Sequence, residues 1–201
     1  MSSQSGENTM KKLEDYEWIC PEPFTNLMTT TSGHYMPCCA MDYLSLFQNH
    51  GKELKTTEKD SIKKYFNSDF SKKLRKAMKE NDKHFLKDIC KNCIKSEEAG
   101  NRSHRQWYLQ RFIQDEFTHK KQELERLIET ESQPSFLHSV EALSVGGNYC
   151  NLSCNMCGEG CSSKYNAEAI KLGETKHMLS QPENYKKFYD DLNDYEILEF
   201  K

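Results

Sequence analysis

Thiols are the side chains of this chain with the most chemistry to offer, and they stand in clusters. Cys150, Cys154, Cys157 and Cys161 fall in the run G-G-N-Y-C-N-L-S-C-N-M-C-G-E-G-C-S-S, from Gly146 to Ser163. The first three occupy eight residues as Cys-x3-Cys-x2-Cys. That is too tight for ordinary disulfide loops, yet one irregular turn can point all three sulfurs at a common centre. A metal ion or an iron–sulfur cluster is held in this way. No histidine stands nearby to supply a fourth ligand, although Cys161 could do so. A structural zinc closes its shell with four ligands, whereas three thiolates on a cubane cluster leave one iron open to a small molecule.

A second constellation lies upstream, in Cys20, Cys38, Cys39, Cys90 and Cys93. Four of these five thiols complete a tetrahedral set and leave one spare. A structural zinc is the simplest reading, because zinc accepts four thiolates and stabilises a domain with little core. A 4Fe–4S cluster asks for the same ligands, so ligand count leaves both open. The total of nine cysteines is odd and the residues are grouped, which in a reducing compartment points to metal ligation rather than disulfides.

The elements that must position these thiols belong to a chain of 201 residues, enough for one full domain or two small ones. Its hydrophobic fraction of 36% and mean hydropathy of -0.89 imply a modest core and a large surface. A net charge of -3 gives no general reason to expect nucleic acid or an anionic membrane as partner. No apolar run approaches the roughly 18 to 20 residues of a membrane span, and the N-terminus has no signal-peptide core. The expectation is a soluble, cytoplasmic protein.

Residues 1–12 read as a polar leader. In E-W-I-C-P-E-P-F two prolines argue against a helix. Phe24 to Thr31 reads as a strand, Ser32-Gly33 as a turn and His34 to Cys38 as a returning strand, giving a hairpin with Cys20 at its entrance and Cys38 and Cys39 at its exit. A polar linker from Gln48 to Thr57 leads to a short helix through Ile62, Tyr65 and Phe66. Asn67-Ser68-Asp69 caps the next helix, whose apolar face is Phe70, Leu74, Ala77 and Met78, with Lys72, Lys73, Arg75, Lys76 and Lys79 on its solvated side. The knuckle Cys90-Lys91-Asn92-Cys93 follows. A long helix is expected from His104 to Thr130, with Trp107 and Phe112 in the core, and Ser132 to Ser135 ends it. Beyond Ser135 the order is strand (Val140 to Val145), cysteine loop, helix (Pro182 to Leu192) and strand (Tyr195 to Phe200). That is one βα unit and the start of another, so the fold class is α/β with an α+β N-terminal part. His34, His84, His104, His119, His138 and His177 fall in no ligand spacing and read as exposed or helix-surface residues. Glu97, Arg102, Ser103 and Arg105 suggest a salt bridge beside the knuckle.

The run C-N-L-S-C-N-M-C from Cys150 to Cys157 resembles the cluster loop of radical S-adenosylmethionine enzymes, with Met156 at the position before the last thiol. The upstream half resembles their twitch or SPASM-like auxiliary domain, in Cys20, Gly33-x4-Cys38 and Cys90-x2-Cys93. F-N-S-D-F-S-K-K-L-R and C-K-N-C-x4-E-x-x-x-N-R-S are similar to segments of twitch-containing members, many from tailed phages. The resemblance covers about Trp18 to Lys201.

It implies a leader at 1–12, a twitch-like auxiliary-cluster domain at 13–100, a helical connector at 101–134 and the start of a radical S-adenosylmethionine barrel at 135–201. It implies a 4Fe–4S cluster on Cys150, Cys154 and Cys157 that binds S-adenosylmethionine and yields a 5'-deoxyadenosyl radical. A second iron–sulfur cluster would sit on Cys20, Cys38, Cys90 and Cys93, with Cys38 preferred to Cys39 because it completes Gly-x4-Cys. Cys161 is then a surface thiol. An electron donor such as flavodoxin or ferredoxin, and a bacterial or phage-infected cytoplasm, are implied with it. In the family a Gly-Gly-Glu type segment follows the strand after the first helix, and this sequence stops at E-I-L-E-F-K. A (β/α) barrel takes about 200 residues or more, and about 65 follow Ser135. The expectation is the front part of a split or truncated gene, or a barrel completed by a second polypeptide.

Overall fold

The structure, a computed structural model, describes residues 11–30, 33–41, 60–141, 162–173 and 185–200. The described part is mixed and mostly helical. In chain order it holds α1 (Glu22–Thr25), β1 (Asn26–Thr29), β2 (Tyr35–Met36), α2 (Ser61–Asn67), α3 (Asp69–Glu80), α4 (Lys83–Ile89), α5 (Lys91–Glu98), α6 (His104–Ile113), α7 (Lys121–Thr130), β3 (Phe136–Leu137), β4 (Ser139–Glu141), α8 (Ser163–Lys171), α9 (Tyr185–Leu192) and β5 (Glu196–Ile197).

The strands form two small sheets, a mixed one of three strands in the order β2-β1-β4 and a parallel pair of β3 and β5. β1 pairs antiparallel with β2, with Met28 opposite Met36, and parallel with β4, with Leu27 opposite Val140. On the other side of the same line of chain, β3 pairs parallel with β5, with Leu137 opposite Ile197. A further parallel bridge joins Val140 to Phe200. Residues 136–141 therefore run between the hairpin and β5. A parallel return needs a crossover rather than a tight turn, and α8 and α9 lie between β4 and β5 in the chain.

The helices share one core with these strands through apolar faces at helical spacing. Ser68 caps α3 by accepting from the Ser71 amide at 3.2 Å, and Phe70, Leu74, Ala77 and Met78 are all buried. Each large side chain buried in this way stabilises by about 1.5–3 kcal/mol. Phe112, Leu124, Ile128, Phe136 and Phe188 are fully enclosed and extend the same core.

Four expectations are corrected. The prolines do not exclude a helix after Cys20: α1 is one helical turn with Pro23 in its first turn, where a missing amide costs nothing. The long helix from His104 to Thr130 is broken. The Gln114 amide closes α6 on Gln110 at 2.8 Å, and the Phe117 amide returns to the Arg111 carbonyl at 3.0 Å. Five residues apart on one helix, Phe112 and Phe117 would point about 140° away from each other; the break lets their rings meet at 5.3 Å in the core. Arg75 is not on the solvated side of α3. It is buried and donates to the Phe66 carbonyl at 2.7 Å. Trp107 is 42% exposed rather than core, whereas Phe112 is enclosed.

Besides α1, three helices (α4, α5 and α8) had no counterpart in the sequence reading. α4 begins where Asn81, in the left-handed region at φ 58°, ends α3, and Asp82 then accepts from the Phe85 amide. α8 begins at Ser162, whose side chain accepts from Tyr165. The linker at Gln48 to Thr57 and the strand residues beyond Glu141 lie outside the described residues. Among the described residues no helix is long and apolar enough to cross a membrane.

Candidate functional site

Cys20, Cys38, Cys90 and Cys93, carried by three separate segments, line one pocket. Cys20 is buried just before α1, where Pro21 caps the helix. Cys38 follows Pro37 at the exit of β2. That exit is tied to α1 by Asn26, whose Nδ2 donates to the Pro37 carbonyl at 3.1 Å and to Glu22 Oε2 at 2.9 Å. Cys90 both ends α4 and caps α5, and Cys93 is buried on α5. The knuckle is thus the junction of two helices rather than a loop. Asn92, between its thiols, donates to the Ala40 carbonyl at 2.9 Å and fastens the knuckle to the hairpin exit. Cys39 is exposed and does not line the pocket.

None of these five cysteines forms a disulfide. The pocket is narrow, with a cavity volume of about 20 Å³ and a mouth partly open to solvent, and Trp18, Met41, Leu74, Met78 and Ile89 make much of its wall apolar. Burial pushes the Cys20 and Cys38 thiols well above the ordinary thiol range, and the nearby Glu22 charge and neighbouring thiols push the same way. Cys90 is pushed up to about 12 by burial and by Cys93, with Arg105 acting against them. Four thiolates beside a carboxylate in a largely apolar pocket would need a positive counter-charge. A bound metal group supplies one, and a coordinating thiol then loses its proton.

The donor set has the chemistry of such a group: four thiols, carried by three segments, line one largely apolar pocket. Among the described residues no three His, Cys, Asp or Glu side chains are drawn tightly enough together to hold a single metal ion. The thiols stand around the pocket rather than at one point in it.

Two polar networks support the pocket. Glu22 lines it and is 2% exposed; its Oε1 lies 2.8 Å from His138 Nε2, whose Nδ1 lies 2.8 Å from Thr25 Oγ1. His138 is completely buried, which corrects its reading as a surface histidine. It breaks the strand line between β3 and β4, and the edges of Tyr108, Phe112 and Phe117 enclose its ring. The apolar, alternating run F-L-H-S-V was the available signal for its burial. The second network is the salt bridge expected beside the knuckle, formed by Arg105 and Glu97 at 2.6 Å. Ser103 caps α6 and also donates to Glu97. Arg102 lies outside this pair and bonds Gln110.

Tyr108 lines the pocket and donates through its hydroxyl to Glu141 Oε1 at 3.2 Å, at the end of β4. Cys150, Cys154, Cys157 and Cys161 lie outside the described residues. The described chain enters that stretch from β4 and leaves it at the capped start of α8, so the three-cysteine motif falls between a parallel strand and a helix.

No protein-family model matches this chain, and neither a curated protein nor a solved structure matches it significantly.

Proposed function

We propose that this chain is a radical S-adenosylmethionine protein, or the N-terminal part of one, with a twitch/SPASM-like auxiliary site ahead of the start of a partial (β/α) barrel. The observation that carries the reading is the gathering of Cys20, Cys38, Cys90 and Cys93 on one pocket, upstream of a Cys-x3-Cys-x2-Cys motif that follows β4 in the sequence. Four thiolates complete the shell of the auxiliary group, and three at Cys150, Cys154 and Cys157 leave one iron for S-adenosylmethionine. A cluster of that kind supplies one-electron reduction of S-adenosylmethionine to methionine and a 5'-deoxyadenosyl radical, which removes a hydrogen atom from a substrate.

The chain's own residues do the holding. Pro21 and Pro23 fix the backbone beside Cys20, the Asn26 and Asn92 amides set the hairpin exit that carries Cys38, and the α4–α5 junction presents Cys90 and Cys93. Trp18, Met41 and Leu74 make the wall beside the thiols apolar. The substrate, the electron donor (a flavodoxin or ferredoxin) and a second polypeptide completing the barrel belong to the same proposal.

Anaerobic reconstitution with iron and sulfide tests it. About four irons at each constellation, and 5'-deoxyadenosine formed from S-adenosylmethionine under reduction, are the expected results. Iron without 5'-deoxyadenosine retains the clusters and overturns the activity of this polypeptide. A second reading rests on the same four thiols, since a set of four cysteines is also the donor set of structural zinc. Stoichiometric zinc with no capacity for iron would favour an interaction module of that kind over the enzyme.

A further inference from the structure

Arg105 occupies an unusual place at the four-thiol pocket. Its guanidinium donates from Nε to Glu97 Oε1 at 3.0 Å and from Nη2 to Glu97 Oε2 at 2.6 Å, a two-pronged pairing. A third bond runs from Nη1 to the Ile19 carbonyl at 3.1 Å, and the guanidinium carbon lies 4.3 Å from the centre of the Trp18 ring. The side chains of Arg105 and Glu97 are only 8% and 18% exposed, so water screens the pair little.

These partners belong to the segments that carry the thiols. Ile19 is the residue before Cys20, and Glu97 lies on α5, one turn beyond Cys93. Arg105 itself lines the pocket from α6. One side chain thus joins the Cys20 segment to the knuckle helix and places a cation at the pocket wall. Glu97 offsets that cation.

We infer that Arg105 and Glu97 form a charge-setting clamp on the pocket, with Arg105 as a positioning residue that fixes the spacing of Cys20 against Cys90 and Cys93. The inference rests on reading the pocket as an iron–sulfur site. The potential of such a site follows its surrounding charge and hydrogen bonds. Removing the anion raises the midpoint potential by favouring the reduced form, and removing the cation lowers it. Arg105→Lys keeps the charge but has neither the planar fork nor the stacking face, so it separates charge from positioning.

The test uses the full chain carrying Cys150→Ala, Cys154→Ala and Cys157→Ala, reconstituted with iron and sulfide so that only the four-thiol pocket is loaded. The midpoint potential is read by redox titration and the hold on iron by loss to a chelator. Glu97→Gln is expected to shift the potential positive and Arg105→Gln negative. Arg105→Lys is expected to keep the potential and weaken the hold on iron by roughly 10- to 100-fold, the usual cost of losing a residue that orients metal ligands. A purely structural pair would move both charge variants in one direction or neither, and either result overturns the clamp. Should Arg105→Gln fail to fold, Glu97→Gln decides alone, and the absence of a positive shift overturns the inference. A parent protein that takes up no iron overturns the iron–sulfur reading and this inference with it, whereas a loaded parent with insensitive variants overturns the clamp only.

Discussion

His138 and Glu22, 116 residues apart in the chain, meet in the core with Nε2 2.8 Å from Oε1. The contact joins the break between β3 and β4 to the helical turn behind Cys20, and Thr25 and Asn26 complete it from α1 and β1. Removing the imidazole takes one donor from a buried carboxylate and leaves a cavity among three aromatic rings. His138→Ala should cost about 2–4 kcal/mol, the range for losing a buried polar partner together with its packing. Urea unfolding of the two proteins measures it, and a cost below about 1 kcal/mol would mean that the pair contributes little.

Alkali should destabilise the metal-free protein. The Cys90 thiol is pushed up to about 12, first by burial and then by Cys93. In the unfolded chain a thiol ionises near about pH 8.5. The folded value is the higher one, so the contribution is fully present below about pH 8.5 and is lost as pH rises through about 12. Melting temperatures should therefore fall above about pH 8.5, and less so in Cys90→Ser, whose hydroxyl does not titrate in that range. Metal affinity should move the other way and increase with pH, because the ligands must lose protons. A melting temperature that rises between about pH 8.5 and 11 would contradict the assignment.

Metal stoichiometry should depend on single thiols in a defined pattern. Cys20→Ser, Cys38→Ser, Cys90→Ser and Cys93→Ser are each expected to abolish or strongly weaken binding at the pocket. Cys39→Ser should leave it intact, since Cys39 is exposed and off the pocket wall. Iron and sulfide analysis of the five variants reads this directly. Loss of metal in Cys39→Ser with retention in Cys38→Ser would reverse the ligand choice.

Features set by near neighbours were legible in the sequence. The Ser68 cap and the face of Phe70, Leu74, Ala77 and Met78 follow from a hydroxyl and a period of 3.6, and the structure has both. The hairpin was legible through Ser32-Gly33, although its strands are shorter than read, because α1 takes the residues after Cys20. Features set by distant partners were hidden. Arg111 braces the break after α6 on Glu199, 88 residues away, and periodicity carries no trace of that bond. Arg75 resembled its neighbouring lysines, but the carbonyl of Phe66 draws it inward. Cys-x2-Cys reads alike in a turn and at a helix start, so the α4–α5 junction was not legible. The five upstream cysteines offered a ligand set without a geometry; the Asn26 and Asn92 bonds to backbone carbonyls are what bring hairpin and knuckle together.

Glu131 offers a test of the backbone alone. It ends α7 in the left-handed region at φ 53°, with its amide donating to the Leu127 carbonyl at 2.9 Å. A side chain in that conformation costs about 1 kcal/mol, and glycine is the residue that helix ends of this kind favour. The carboxylate gives little in return, because its 3.9 Å pair with Lys79 is 57% exposed on the glutamate side and Lys79 also bonds the Glu129 carbonyl at 3.0 Å. Glycine loses more freedom on folding, which offsets part of the gain. Glu131→Gly should therefore stabilise by about 0.5 kcal/mol and raise the melting temperature by about 1–2 °C. Glu131→Ala keeps the Cβ and should bring no such gain, so thermal melts that rank alanine above glycine would show that φ strain is not what limits this helix end.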